Sequence, residues 1–524
     1  MRLDPLGGSY LVKGSESLLT TAATAGVEVC FANPGTTEID LVEAFDEVEA
    51  PRSVLALSEG VVTGAADGYG RMSDSPAMTL MHLGPGLANG IANLHNARRA
   101  RTPIVNVVGE HASWHQPADA PLGSDIESLA WPVSGQVSRT TSAEAASAEF
   151  AAAYAAALER RMPSTLIAAA DHMWNQGGMP APAPAIAARQ AVDDQRIADV
   201  AKVVSAGRRP AFLLGGHALE AEGVRTAARI AANAGGELLC ERGFARLERG
   251  PDIPPIRSLP YFPEDVFALL EDFSDLVLIG AGKPVAFFGY KGMPSHPLPE
   301  VLRVHPLADP DQDALGALRA LATATDSAAV EPLWTPRPEI GDPSGKLDAA
   351  AVAAAIVRTQ PENSIVVNEG VSSSAAYPEI AAAAPAHTEL SQTGGAIGMG
   401  MPVATGAAIA CPRRPVINLQ ADGSAAYTVQ ALWTQAREGL DVTTVICSNS
   451  RYRILEAELQ RSGVDAPGAA AAGMTDLGDP AVDWQAVARG FGVPALRATT
   501  AEELVDALRR AHSEPGPTLV EAVL

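Results

Sequence analysis

Two oxygen-bearing side chains, Asp422 and Asn449, are spaced to share a hard cation. The run PVINLQ (415–420) leads through Ala421 to Asp422, and DVTTVICS (441–448) leads directly to Asn449. The 27 positions from one to the other hold a helical stretch, AAYTVQALWTQAREG, and the second strand. A strand–helix–strand unit takes roughly thirty residues. Both side chains should therefore emerge at the carboxyl edge of adjacent parallel strands, where open α/β sheets bind ligands. One carboxylate, one amide oxygen and the backbone carbonyl just after Asn449 form an all-oxygen half-shell. That set suits Mg²⁺, which completes its octahedron with phosphate oxygens and water. Gly423 lets a phosphate approach the backbone, and Ser424 with the helix start behind it supplies donors. Each residue alone also fits a plainer role, a helix cap at Asp422 and a turn at Asn449. The pair at this spacing favours the cation.

The elements that position such a site recur along the chain. SESLLTTAATAG (15–26) has helical spacing and ends at a capping glycine, Gly26. Strand patterns follow at VEVCF (27–31), SVLAL (53–57), AMTLMH (77–82) and PIVNVVG (103–109), with helices from Ile39 and over 59–72. The glycine-rich GPGLANG (84–90) reads as a loop opening a helix. Such alternation implies a parallel sheet covered on both faces. GGMPAPAPAIAARQ (177–190) and EPLWTPRPEIGDPSG (331–345) read as linkers. Between them lie strands PAFLLGG (210–216) and DLVLIG (275–280), and after them SIVVNEG (364–370) and PTLVEAVL (517–524). TAEE (500–503) is a capping box before the last helix. The reading is an α/β chain of three doubly wound parallel-sheet domains, 1–180, 190–330 and 345–524.

The bulk numbers narrow the partners. The chain has 524 residues, 47% hydrophobic and 19% charged, as in globular proteins. Its net charge is −23, from 38 basic and 61 acidic residues, which argues against nucleic acid and anionic membranes as partners. No long uncharged apolar run suggests a membrane span, and the opening MRLDPLGGSYLVKG carries no apolar leader core. The four cysteines are scattered, without a CxxC, as expected of reduced core residues in a cytoplasmic protein.

The segments ADGS and SNS resemble the thiamine diphosphate motif, a GDG followed at about this distance by NN. Ala421 stands for the first Gly and Ser448 for the first Asn, while Asp422 and Asn449 match the metal-binding positions. Alanine is costly there only if the position needs a positive φ. FANPGTTEIDL (31–41) and LALSEGVVTGAADGYGR (55–71) resemble the pyrimidine-binding domain of the acetolactate synthase, pyruvate oxidase and benzoylformate decarboxylase superfamily. GGAIGMGMPVATGAAIA (394–410) resembles its aminopyrimidine-contacting loop. The resemblance spans the chain and is weakest in the middle. It implies the domain order pyrimidine, transhydrogenase-like middle and diphosphate, and a homodimer or homotetramer with active sites between chains.

The resemblance also implies roles. Glu59 would bond the pyrimidine N1′ of thiamine diphosphate and favour the imino tautomer that takes the C2 proton. Gly395 would accept the 4′-amino group, and Ile397 would wedge pyrimidine against thiazolium. Val371, Ser372, Ser424 and Tyr427 match diphosphate-side positions, and Arg451 would give a backbone carbonyl to Mg²⁺. Thr36 and His82 occupy substrate-side positions, and a histidine can relay protons near neutral pH. Glu110, His111 and His115 follow another strand end and could line the same pocket. The decarboxylases' middle-domain histidine has no match in PVAFFGYKG (284–292). IGAGKPV (279–285) lacks a full GxGxxG, and ERGFARLERG (241–250) does not replace the flavin-contacting segment, so bound FAD is not expected. The implied activity is decarboxylation of a small 2-oxo acid and ligation through an enamine, placed ahead of simple decarboxylation. A flavin- or NAD-dependent oxidoreductase would need a dinucleotide in the middle domain. A non-catalytic relative would bind no cofactor, against which the survival of Glu59, Asp422 and Asn449 counts.

Overall fold

The computed structural model describes residues 12–49, 51–332, 334 and 337–524. The first eleven residues of the stretch read for a leader, and three of the second linker (333, 335 and 336), lie outside the described residues. Two compact units result: Met1–Ala187 with Gly394–Leu496 and Glu514–Glu521, and Ala188–Thr393 with Arg497–Ser513 and Ala522–Leu524. Among the described residues no helix is long and apolar enough to cross a membrane.

In the first unit six strands form one sheet, in the order Arg52–Leu55, Val29–Asn33, Ala77–Met81, Ile104–Glu110, Pro163–Ala169 and Gln136–Arg139. Every pairing is parallel. The central strands 77–81 and 104–110 are buried at every position, so they read as unbroken runs rather than alternating ones. Alternation shows instead in which core a residue enters. Val29 and Phe31 join one cluster, and Cys30 and Ala32 join another across the sheet.

Helix Glu59–Ser73 starts on Ser58, whose hydroxyl accepts from Gly60 N, and stops at the left-handed Asp74. The second helix begins at Leu83, so the stretch 84–90 is helical and not a loop. Pro85 falls in the first turn, where no backbone N–H is needed. The glycines there answer to close neighbours: a Cβ at Gly84 would sit 1.9 Å from Ser124 Oγ, and one at Gly86 3.0 Å from Glu59 Oε1. The turn signals were packing signals. This unit also holds the parallel pair Val416–Ala421 and Val442–Ser448, with Ala421 opposite Cys447, and helix Gly400–Ala410.

The second unit carries five parallel strands in the order Arg257–Ser258, Glu237–Cys240, Ala211–Leu214, Asp275–Ile279 and Arg303–Ala308. It also holds Ser364–Glu369 beside His387–Ser391, in parallel. The capping box forms as read: Glu503 N donates to Thr500 Oγ1 and Thr500 N to Glu503 Oε2, both at 3.3 Å.

Candidate functional site

Asp422 follows strand 416–421 and Asn449 follows strand 442–448 in the register that puts both at one carboxyl edge. Asp422 is 5% exposed. Its Oδ1 accepts from Gly423 N at 2.8 Å and its Oδ2 from Ser450 N at 2.6 Å. Burial raises its carboxyl above the ordinary range, and these backbone donors pull the other way. Asn449 Oδ1 accepts from Arg451 N at 2.9 Å. The Asn449 N–H is a third backbone donor to the Asp422 carboxylate. A buried carboxylate with a raised pKa, beside an amide oxygen, is a donor set that a hard cation would stabilise, so the residues fit Mg²⁺.

The loop behind them is held rigidly. Tyr452 N donates to Thr475 O and Leu477 N to Ser450 O, both at 2.8 Å, which leaves the Arg451 carbonyl out of that bridge. The Arg451 side chain points elsewhere, to Glu456 at 3.0 Å. Ala421 has φ −79°, ψ 147°, so the alanine in place of glycine is unstrained. Over Gly423 the space is taken by Tyr452, whose ring carbon would meet an added Cβ at 2.6 Å. Ser424 Oγ donates to the Ala421 carbonyl at 3.1 Å and accepts from Gln420 Nε2 at 2.5 Å. Tyr427 is 57% exposed.

Glu59 opens its helix, buried, and Oε2 accepts from Asn89 Nδ2 at 3.1 Å. From Glu59 to Met72 every residue of that helix is buried. It meets helix 400–410 backbone to backbone: a Cβ at Gly68 would lie 2.0 Å from the Val403 carbonyl, and one at Gly406 1.8 Å from that of Ala65. Loop 394–398, just before helix 400–410, contains Gly395 at φ +80° and Gly398 at φ +98°. Thr428 Oγ1 donates to Gly398 O at 2.7 Å, which fixes the loop's far end. Ile397 is half-buried.

His82 follows strand 77–81 and precedes helix Leu83–Ala100. Its Nδ1 lies 2.7 Å from Glu38 Oε2 and 3.3 Å from Thr37 Oγ1. Glu38 is fully buried, takes Gly35 N at 2.8 Å, and stands where a Cβ on Gly109 would be 1.5 Å from its Oε1. Thr36, the residue expected on the substrate side, is exposed in the first position of the 3-10 turn Thr36–Glu38. Sequence reasoning missed Glu38. Its only local signal is an acid three positions after Gly35, the capping-box spacing. Glu110 Oε1 accepts from His111 N at 2.8 Å, and the His111 and His115 rings meet edge-on at 5.4 Å.

Among the described residues nine non-glycine residues have positive φ, and three of them lie at or beside predicted site residues. Of the non-glycine residues with positive φ, Leu83 (+54°) follows His82 and Ser450 (+53°) follows Asn449. Val371 (+48°), in the second unit, is itself a predicted site residue. Ser372, beside it, is half-buried. A β-branched residue in that region is costly and is retained where surrounding structure imposes it. Gly370 is right-handed helical and Val371 left-handed, a sequence of conformations that turns successive N–H groups toward one point.

Residues 12–129 match the family model for the thiamine pyrophosphate enzyme N-terminal TPP binding domain, and 370–522 that for the C-terminal TPP binding domain. The chain belongs to the thiamine pyrophosphate enzymes. It is 48% identical, over 98% of its length and 99% of the other's, to a Mycobacterium tuberculosis protein provisionally named acetolactate synthase large subunit IlvX. It is 31% identical to the benzoylformate decarboxylase of Pseudomonas aeruginosa, over 95% of this chain and 96% of that one. Its fold is similar to that of the thiamine diphosphate-dependent 4-hydroxybenzoylformate decarboxylase of Rhodococcus jostii. That likeness has a TM-score of 0.83 at 23% identity, covering 97% and 98% of the two chains.

Proposed function

We propose that the chain is a thiamine diphosphate- and Mg²⁺-dependent enzyme that decarboxylates a small 2-oxo acid and joins the product to a second carbonyl, in the manner of an acetolactate synthase. One observation carries the reading: Asp422 and Asn449 present oxygens at the ends of neighbouring parallel strands. Asp422, Asn449 and the Arg451 carbonyl would hold Mg²⁺. Val371, Ser372, Gly423, Ser424 and Tyr427 would hold the diphosphate, with the Gly423 contribution limited to its backbone because Tyr452 covers its α-carbon. Gly395 and Ile397 would seat the pyrimidine.

When bound, thiamine diphosphate supplies a nucleophilic thiazolium carbon and an electron sink for the carbon that loses CO₂. Glu59 would hold the proton shared with pyrimidine N1′, its carboxylate steadied by Asn89. Thr36 would touch the substrate, and His82 would carry protons at the reacting carbon, oriented by Glu38. Domains at 1–180, 190–330 and 345–524 belong to this reading, and both matched segments fall inside the outer two. So do a cytoplasmic homodimer or homotetramer and active sites between chains. FAD is left out of it. At the middle sheet's carboxyl edge, Gly216 N donates to the Glu241 carboxylate at 3.2 Å, and a phosphate placed there would meet like charge.

Simple decarboxylation is the second reading, favoured by the Glu38–His82 contact, which suits a proton donor. The test is turnover of pyruvate, 2-oxobutyrate, benzoylformate and phenylpyruvate with thiamine diphosphate and Mg²⁺, following CO₂, aldehyde and acyloin separately. Acyloin or acetohydroxy acid in excess of aldehyde supports ligation, and aldehyde alone supports the second reading. No CO₂ from any 2-oxo acid would overturn both.

A further inference from the structure

The loop 394–398 meets helix Leu83–Ala100 through four polar contacts. Asn96 Nδ2 donates to the Ala396 carbonyl at 2.8 Å, and Ala396 N donates to Asn96 Oδ1 at 3.2 Å. One side-chain amide thus pairs with both polar groups of a single residue, which fixes orientation as well as distance. His95 Nε2 lies 3.0 Å from the Gly394 carbonyl. Gly394 has to be glycine for this approach, since an added Cβ would sit 2.5 Å from Asn96 Oδ1. One turn earlier, Asn93 Nδ2 donates to Gly60 O at 2.8 Å and reaches Gly398 O at 3.5 Å. Asn96 Nδ2 also donates to Asn93 Oδ1 at 3.3 Å, so the two amides form one chain. Asn96 is wholly buried and Asn93 3% exposed. Buried amides satisfied this fully hold their partners in a unique arrangement, and leaving one unpaired is costly.

We infer that Asn96, supported by Asn93, is a positioning residue. It sets where the Ala396 peptide stands relative to the first turn of the Glu59 helix. Gly395 and Ile397 flank that peptide, so the clamp governs the carbonyl and the side chain that would seat a pyrimidine. The inference rests on the proposed cofactor reading. A displacement of about 1 Å at such a point can cost about 100-fold in rate.

The test compares wild type with Asn96→Ala and Asn96→Ser at saturating thiamine diphosphate and Mg²⁺. Asn96→Ala should lower kcat by about 10- to 100-fold. KM for the 2-oxo acid should stay within about twofold, because uniform substrate binding is not what the clamp supplies. The circular-dichroism signal of the bound cofactor's imino tautomer should fall. Without any cofactor, the Ala396 amide should exchange its hydrogen faster in Asn96→Ala than in wild type. Asn96→Ser, whose hydroxyl stops one bond short of the Ala396 amide, should behave like Asn96→Ala, and it carries the test if the alanine variant does not fold. Wild-type kcat, tautomer signal and exchange in a folded Asn96→Ala enzyme would overturn the inference alone. A wild-type chain that binds no thiamine diphosphate would overturn it together with the reading beneath it.

Discussion

Glu38 was hidden in the sequence and Asp422 was not, and the reason is distance along the chain. Asp422 and Asn449 are bound to each other by one strand–helix–strand unit, whose length the apolar pattern reveals. Glu38 meets a histidine 44 positions away, and nothing periodic links them. The open question at Ala421 closes for the same local reason: its φ of −79° is accessible to any residue, so glycine is not required. Two outcomes follow at this scale. Glu38→Gln should keep His82 in place but weaken its hold on one tautomer, lowering kcat by at least about tenfold with little change in melting temperature. Unchanged turnover would show that the contact is only structural. Val371→Gly should relieve a left-handed β-branched residue and leave the unfolding free energy unchanged or raised by up to about 1 kcal/mol in denaturant titrations.

At the scale of elements, the helix that carries Glu59 is held by contact of backbones. Gly64, Gly68 and Gly406 are there because Pro402, Val403 and Ala65 come within van der Waals range of where a Cβ would be. The sequence showed a helix over 59–72 but gave no sign of what it packed against, since helix 400–410 lies more than three hundred residues away. The same blindness made GPGLANG look like a loop. Gly406→Ala should therefore destabilise by about 1–3 kcal/mol. Gly490→Ala, in a helix with open space at its Cβ, should stabilise by up to about 1 kcal/mol. Chemical denaturation of both variants checks the pair, and equal shifts would argue against the backbone contact. The first sheet, six strands joined by five parallel pairings, was legible as a class but not as an order. Periodicity says that a strand exists, not which strand it lies beside.

For the molecule as a whole, acid sensitivity has an identifiable contributor. Burial pushes His512 down to about 4 from 6.5, and lowers His387 as well. The folded chain then binds fewer protons than the unfolded one between these values. His512 contributes stability that is complete above about 6.5 and is lost as pH falls toward 4. Replacing His512 by Asn should flatten the decline in melting temperature between pH 7 and pH 4.5. The net charge of −23 argues against whole classes of partner, yet it could not say which 2-oxo acid fits, because that depends on side chains gathered from distant segments. The central claim is that this chain holds thiamine diphosphate through a metal on Asp422 and Asn449. Calorimetric titration of thiamine diphosphate, with Mg²⁺ and with Mg²⁺ chelated, in wild type and Asp422→Ala, tests it most directly. The account predicts saturable binding that needs Mg²⁺ and disappears in Asp422→Ala. Absent binding, or binding indifferent to both the metal and the substitution, would contradict it.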